Sequence, residues 1–299
     1  MDAAMTWQWV SPDDGCPLVE RGDVLERPDG GPAHTKRNGI WHLLPTAESD
    51  ELDRWSLAYG EVRRAEGRGS EDPAYYRALP WVDTTGRFGD QWRERSHSFD
   101  RLVTLLDDHP TGSVVDLGAG NAWASARLAD RGWHAMAIDV NVDDADGLGA
   151  AHHHDAELTL VRAAVESIPL ADASVDVVFW NASLHYATSV EAAVAEAGRV
   201  LRPGGLAVVV DSPVYRGRRA GAAMVRQQQE RLGHLGAPPL RGRGFLIAEE
   251  WTHSRRGPHR LQWDDLTPHR TRLRAAVGRV RAGREIARLS FLVGRKEDS

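Results

Sequence analysis

The stretch that most constrains this chain is Val114-Val115-Asp116-Leu117-Gly118-Ala119-Gly120-Asn121-Ala122-Trp123. An apolar run ends in an acid, two glycines follow two residues apart, and Ala124-Ser125-Ala126-Arg127-Leu128 then favours helix. That order reads as strand, tight turn, helix. Glycines in such a turn let the backbone approach a ligand where a Cβ would collide. Ala122 stands at the third glycine position of the dinucleotide-type turn, which alanine can fill. A second apolar run, Trp133-His134-Ala135-Met136-Ala137-Ile138, ends in Asp139. An acid roughly twenty residues beyond the turn is placed to accept from both hydroxyls of a ribose. No buried partner for it is evident in the sequence, so its loss should change the ligand-free fold little.

Three further strands are expected. Leu158-Thr159-Leu160-Val161 leads to Glu166-Ser167-Ile168-Pro169-Leu170, and Ser174-Val175-Asp176-Val177-Val178-Phe179-Trp180-Asn181 is a buried run. A helix over 189–201 carries Val190, Ala193, Val194, Ala197 and Val200 at helical spacing, before Pro203-Gly204-Gly205 turns into Leu206-Ala207-Val208-Val209-Val210-Asp211. Strands alternating with crossover helices force a parallel sheet.

Four blocks, VVDLGAGNAW, the acid of AIDV, ESIPLADASVDVVFWNASLH and EAGRVLRPGGLAVVVD, span roughly residues 111–211. Together they resemble the class I S-adenosylmethionine-dependent methyltransferases of the type 11 kind. The resemblance implies an α/β fold with a doubly wound, mostly parallel seven-stranded sheet, Rossmann-like, whose last strand enters antiparallel beside the fifth. It also implies S-adenosyl-L-methionine as cofactor. Gly118 and Gly120 would pass under the donor's amino-acid and ribose parts, with Asp116 fixing the turn and the amino-acid end. Asp139 would hold the ribose, Glu166 and Ile168 would border adenine, and Asn181 would contact cofactor or substrate. The acid that often precedes Glu166 by two residues is Ala164 here, which leaves adenine recognition to backbone groups or to Glu166. His185 is the candidate general base, since an ordinary histidine titrates near working pH; Asp211 is a weaker one. No Asn-Pro-Pro-Tyr-type sequence follows the fourth strand.

Before this core, residues 1–48 read as a small β module rich in Pro, Gly and Asp. Cys16-Pro17-Leu18-Val19 and Asn38-Gly39-Ile40-Trp41-His42-Leu43-Leu44-Pro45 resemble the opening and close of a zinc-ribbon-like leader, with the other ligands missing. A degenerate, metal-free leader is expected. Residues 49–110 read as a helical cap lining the substrate, with Leu52, Trp55, Tyr59 and Val62 on one helical face. Tyr75, Tyr76, Trp81, Phe88, Trp92 and His97 are pocket candidates in this cap, joined from the core by Tyr186 and Tyr215. The alternative for each cap aromatic is core packing. Residues 111–299 form the expected methyltransferase domain.

Composition narrows the partners. The formal charge of −6 over 299 residues does not announce a nucleic-acid binder. One cysteine excludes a cysteine zinc cage. No signal-like or membrane-spanning apolar run is present, so a cytoplasmic protein acting on a small molecule, away from the membrane, is expected; the oligomeric state stays open. His152-His153-His154-Asp155 has no diagnostic metal spacing and reads as a solvated connection. Arg241, Arg243, Arg255, Arg256, Arg260, Arg270, Arg272, Arg274, Arg279, Arg281 and Arg284 read as a solvated helix face or as ligands for an anionic substrate or RNA. RNA methylation, a cofactor-binding scaffold without activity, and NAD binding are the competing readings.

Overall fold

A computed structural model describes residues 6–253, 261–282 and 285–297, without the side chains of 251–253 and 278–282. The chain opens with strands β1 (Val19–Arg21), β2 (Val24–Glu26), β3 (His34–Arg37) and β4 (Ile40–His42). Helices α1 (Ser49–Ala65), α2 (Pro73–Ala78) and α3 (Gly89–Leu106) follow. The alternating section is β5 (Ser113–Leu117), α4 (Trp123–Ala129), β6 (His134–Asp139), a 3-10 turn (Leu148–His153), β7 (Thr159–Arg162), β8 (Val175–Asn181), α5 (Val190–Val200) and β9 (Leu201–Tyr215). The chain closes with α6 (Arg218–Gly233), β10 (Leu246–Ile247), α7 (Ala248–His253), β11 (Leu261–Asp265), α8 (His269–Ala282) and β12 (Arg288–Lys296).

The strands hydrogen-bond in the order β1-β2-β3-β4-β7-β6-β5-β8-β9-β12-β11, and β10 adds a short parallel pair to the end of β9. From β5 the chain winds one way to β6 and β7, then the other way to β8 and β9, so β5 marks the switch point of a doubly wound sheet. β12 runs antiparallel to β9, with Phe291 opposite Val210. Among the described residues the sheet has 12 strands, which corrects the seven-stranded expectation. The seven from β7 to β11 follow the expected plan. The surplus comes chiefly from β1–β4, an antiparallel meander whose last strand pairs in parallel with β7, Ile40 opposite Leu160 and Trp41 opposite Val161. An edge strand left open presents unpaired amides and carbonyls, and β4 covers that edge.

Successive residues of a strand point to opposite faces, and the core divides accordingly. Val115 and Leu117 pack on one face with Trp41, Met136 and Trp180. Val114 packs on the other with Tyr75, Tyr76, Trp92, Phe99 and Phe179. The aromatic cap thus fills a second core, and that corrects the pocket assignment of three of its residues. Tyr75, Tyr76 and Trp92 are buried among α2, α3 and α4 because only large side chains span from these helices to the sheet. Local signals set the helix starts: Asp72 accepts from the Ala74 amide ahead of Pro73, and Ser189 accepts from the Ala192 amide.

Candidate active site

A cavity of about 780 Å³ opens beyond the carboxyl ends of β5, β6, β8 and β9, at the switch point. Its size suits a nucleotide-sized ligand together with a small second molecule. The glycine turn forms its floor. Gly118 takes φ +74°, and a Cβ there would lie 2.5 Å from the Ser183 Cβ, so the close approach of this turn to the β8 loop requires glycine. At Gly120, φ +56°, an added Cβ would meet the Asp146 carbonyl oxygen at 3.8 Å, an ordinary contact. Ala122 adopts φ +59°, a left-handed conformation that costs an alanine about 1–2 kcal/mol.

Asp139 faces the cavity at the end of β6, as expected. Its carboxylate is not free of partners, which corrects the expectation that its loss leaves the ligand-free fold unchanged. Oδ2 accepts from the Gly120 amide at 2.8 Å and Oδ1 from the Asn141 amide at 2.8 Å. Those bonds tie the glycine turn to the next loop, while burial pushes the carboxyl upward. Asp116 lies beneath the turn and does not line the cavity. Its Oδ2 accepts from Ser125 Oγ at 2.9 Å, anchoring α4, and Oδ1 is buried without a partner. Burial pushes this acid up to about 7.

Glu166 lines the cavity, and its Oε1 accepts from the Thr188 amide and hydroxyl, so it also fixes the entry to α5. Ile168 does not reach the cavity. It is 2% exposed within the core under β8 while its amide donates to Glu196, and Val165 supplies the apolar border instead. Asn181 carries the clearest sign of an intended ligand: its side-chain oxygen and nitrogen are both buried, line the cavity and have no partner among the described residues. Buried polar atoms without partners are rare and costly unless a ligand or water completes them.

Beyond Asn181, Tyr186 lines the cavity mouth and His185 its wall. His185 Nδ1 lies 3.2 Å from Ser212 Oγ. Burial, then the Arg95 charge, lower this histidine to about 3, so the ring is neutral at working pH and the expectation of an ordinary histidine is corrected. Asp211 also reaches the cavity. A break in register opposite Leu289/Phe291 puts it at φ +56° and turns it inward. Its Oδ1 accepts from Ser98 Oγ at 2.7 Å, its Oδ2 is buried without a partner, and burial pushes the acid up to about 6.

Three other candidates fall elsewhere. Trp81 is 48% exposed against Phe99 and Arg127, His97 points to solvent from α3, and Tyr215 is buried against Phe245 behind β9. Phe88 sits under Arg68 rather than in the cavity. The histidine run is not a solvated connection throughout. His154 is buried, with Nε2 3.0 Å from the Asn121 carbonyl, and so holds the glycine turn from below.

The α1 face expected in the substrate-lining cap reaches the cavity, and beside it stands a polar wall, Arg63, Arg68, Gln91 and Arg95, that the sequence does not single out. From α1 come Trp55 and Tyr59, stacked at 4.7 Å, and Arg63, which meets Asp146 at 2.5 Å. From α3 come Gln91 and Arg95, and the loop between α1 and α2 adds Arg68. The i, i+4, i+7 spacing of Gln91, Arg95 and Ser98 was the available signal, indistinguishable in sequence from a solvated face. The segment after α6 closes the top, where the Trp55 indole donates to the Pro239 carbonyl at 2.9 Å. Of the arginines read as a solvated face or as ligands for an anionic substrate or RNA, Arg241, Arg243, Arg272 and Arg274 each face a carboxylate and Arg270 is exposed on α8. Arg255, Arg256, Arg260 and Arg284 lie outside the described residues, as do the side chains of Arg279 and Arg281. Among the described residues no three histidine, cysteine or acidic side chains are placed to hold a metal ion, and no helix is long and apolar enough to cross a membrane.

Residues 115–209 match the family described as "Methyltransferase domain". The chain is 32% identical over 110 residues to the malonyl-[acyl-carrier protein] O-methyltransferase of Serratia marcescens, covering 36% of this chain and 41% of that protein. It is 34% identical over 142 residues to the dimethylglycine N-methyltransferase of Parasynechococcus marenigrum, covering 46% of this chain and 51% of that protein. The matched region thus spans about half or less of these relatives' length. Among solved structures, the YcgJ protein of Bacillus subtilis superposes with a TM-score of 0.51 at 17% identity, over 68% of this chain and 100% of that one. That likeness is one of fold. Residues 115–209, which run from β5 into β9 and so through the strands framing the cavity, thus match a methyltransferase domain.

Proposed function

We propose that this chain transfers the methyl group of S-adenosylmethionine to a small-molecule acceptor. The observation that carries the reading is the single cavity wall shared by Gly118, Gly120, Asp139 and the partnerless amide of Asn181. These residues fit the donor. The turn leaves room for backbone contact, Asp139 has lone pairs beyond its two amide bonds for ribose hydroxyls, and Asn181 has a donor and an acceptor to satisfy. When bound, the donor supplies an electrophilic methyl carried on a sulfonium. The protein's part is to hold both molecules in line and keep water out. Trp55, Tyr59, Tyr186 and the 237–241 segment enclose the acceptor side. Asp211, with an open oxygen, is better suited than the low-pKa His185 to take a proton from an acceptor there. The relatives named above act on different acceptor atoms, and the small-molecule reading draws on them together with the ion pairs of Arg241, Arg243, Arg272 and Arg274. We further read residues 1–48 as a degenerate zinc-ribbon-like leader, 49–110 as the cap and 111–299 as the catalytic domain.

Calorimetry with S-adenosylhomocysteine and with NAD tests the donor, and incorporation of labelled methyl across a metabolite panel and bulk RNA tests the acceptor. Binding of the first nucleotide, not the second, and label in a small molecule are expected. NAD binding without a response to S-adenosylhomocysteine would sink the reading.

A further inference from the structure

Two guanidinium groups in the cavity wall have no carboxylate within ion-pair distance among the described residues. The nearby acids are engaged elsewhere: Asp146 and Glu66 both bind Arg63, and Glu66 also meets Arg231. Arg68 instead donates to the neutral side chain of Gln91, lies 3.7 Å over the Phe88 ring and keeps its Nε buried without a partner. Arg95 lies 4.8 Å over the Trp92 ring. The acid nearest in charge to Arg95 is Asp211, whose Oδ1 is taken by Ser98. Burial first, and then the charge of Arg63, push both groups down, Arg68 to about 10.

Cations withdrawn from water and left without an anion destabilise a fold. A planar guanidinium offers paired donors that match a carboxylate. Gln91 and the rings of Phe88 and Trp92 orient the two groups without neutralising them. We propose that Arg68 and Arg95 form a carboxylate-binding subsite of the cavity. The assignment rests on the methyltransferase reading, which offers two sources of a carboxylate: an acidic acceptor, or the amino-acid end of the donor. Placement favours the acceptor. Arg95 shares its wall with Asp211 and His185 at the ends of β8 and β9, while Asp139 and Gly120 lie at the β5–β6 side.

The test uses the full chain and three variants, Arg95→Gln, Arg68→Gln and Arg95→Lys. Calorimetry compares S-adenosylhomocysteine with 5′-methylthioadenosine, which lacks the amino-acid carboxylate. In the complex with S-adenosylhomocysteine, benzoate is then titrated against benzamide. Wild type is expected to bind benzoate and not benzamide. Arg95→Gln should weaken benzoate by at least about tenfold and leave S-adenosylhomocysteine nearly unchanged. If Arg95→Gln instead weakens S-adenosylhomocysteine but not 5′-methylthioadenosine, the subsite holds the donor's carboxylate and the assignment of a carboxylate site still stands. Equal binding of benzoate and benzamide overturns it, as do wild-type affinities for benzoate and S-adenosylhomocysteine in both glutamine variants. Ligand-free melting curves guard against misfolding. Removing an unpaired charge should hold or raise the melting temperature, and Arg95→Lys, which keeps charge but loses the planar fork, should still weaken benzoate. If wild type binds neither nucleoside, the methyltransferase reading fails, while benzoate titrated into the ligand-free chain still judges the subsite.

Discussion

Asp139 shows how one side chain serves both fold and site. Its two oxygens accept from the Gly120 and Asn141 amides, so the carboxylate that faces the ribose position also sets the shape of the turn beneath it. Hydrogen bonds to a charged group are worth about 1.5–3 kcal/mol each, and an amide left without its acceptor costs about 1–3 kcal/mol. Asp139→Ala is therefore expected to weaken S-adenosylhomocysteine binding by roughly 10- to 100-fold and to lower ligand-free stability by about 1–3 kcal/mol. Calorimetry and urea unfolding of the same variant check the two effects separately. Unaltered unfolding with reduced affinity would mean that water replaces both amide bonds at no cost. Reduced stability with full affinity would remove Asp139 from the site. The alternation of apolar residues up to Asp139 made its position legible in the sequence. Its bonds to backbone amides were not legible, because a turn's amides leave no trace in residue type.

At the scale of elements, what was legible follows from what each element packs against. The strands β5, β6 and β8 are buried on both faces and read as continuous apolar runs, so their ends were apparent, whereas β7 is only half-buried at Thr159 and Leu160 and β9 extends beyond the expected Leu206–Asp211 on both sides. The cap helices have two inward faces, one to the core and one to the cavity, and periodicity reports only the first. That is why Trp92 and Tyr76 stood out as pocket candidates while Gln91 and Arg95 did not. The β1–β4 meander was legible as short strands, but its attachment to β7 is non-local and depends on an edge being open. Trp41 is 1% exposed, packs in the main core with Trp9 and sits opposite Val161. Trp41→Ala is therefore expected to cost about 3–5 kcal/mol in the main unfolding transition, as for other large-to-small core changes. Denaturant unfolding followed by fluorescence and by far-ultraviolet circular dichroism checks this. A main transition that stays in place while a separate, smaller one disappears would show the meander folding independently of the sheet.

Across the whole molecule, the buried titratable groups set opposing pH limits on stability. Burial raises Asp116 to about 7 and Asp211 to about 6, each above the unfolded carboxylate value near 4. The folded state holds these protons more tightly than the unfolded chain, so their contribution is complete below the unfolded pKa. It is lost progressively as pH rises from about 4 to the folded values of about 6 and about 7. Burial lowers His154 to about 4 and His185 to about 3, below the unfolded histidine value near 6.5. There the unfolded state binds the proton first, so stability falls as pH drops from about 6.5 towards 4. Between about pH 4 and 7 the two acids and the two histidines therefore pull in opposite directions and largely offset each other, so these four groups are expected to leave the wild-type stability nearly level over that range. Asp116→Asn keeps an acceptor for Ser125 but cannot ionise, and should make stability rise with pH between about 5 and 7. His185→Gln should make it fall with pH over the same range. Urea unfolding of wild type and both variants at half-unit pH steps measures the slopes. A profile in Asp116→Asn that matches wild type would mean that Asp116 is ionised in the folded state at neutral pH, with water or an ion beside its Oδ1, which has no partner among the described residues.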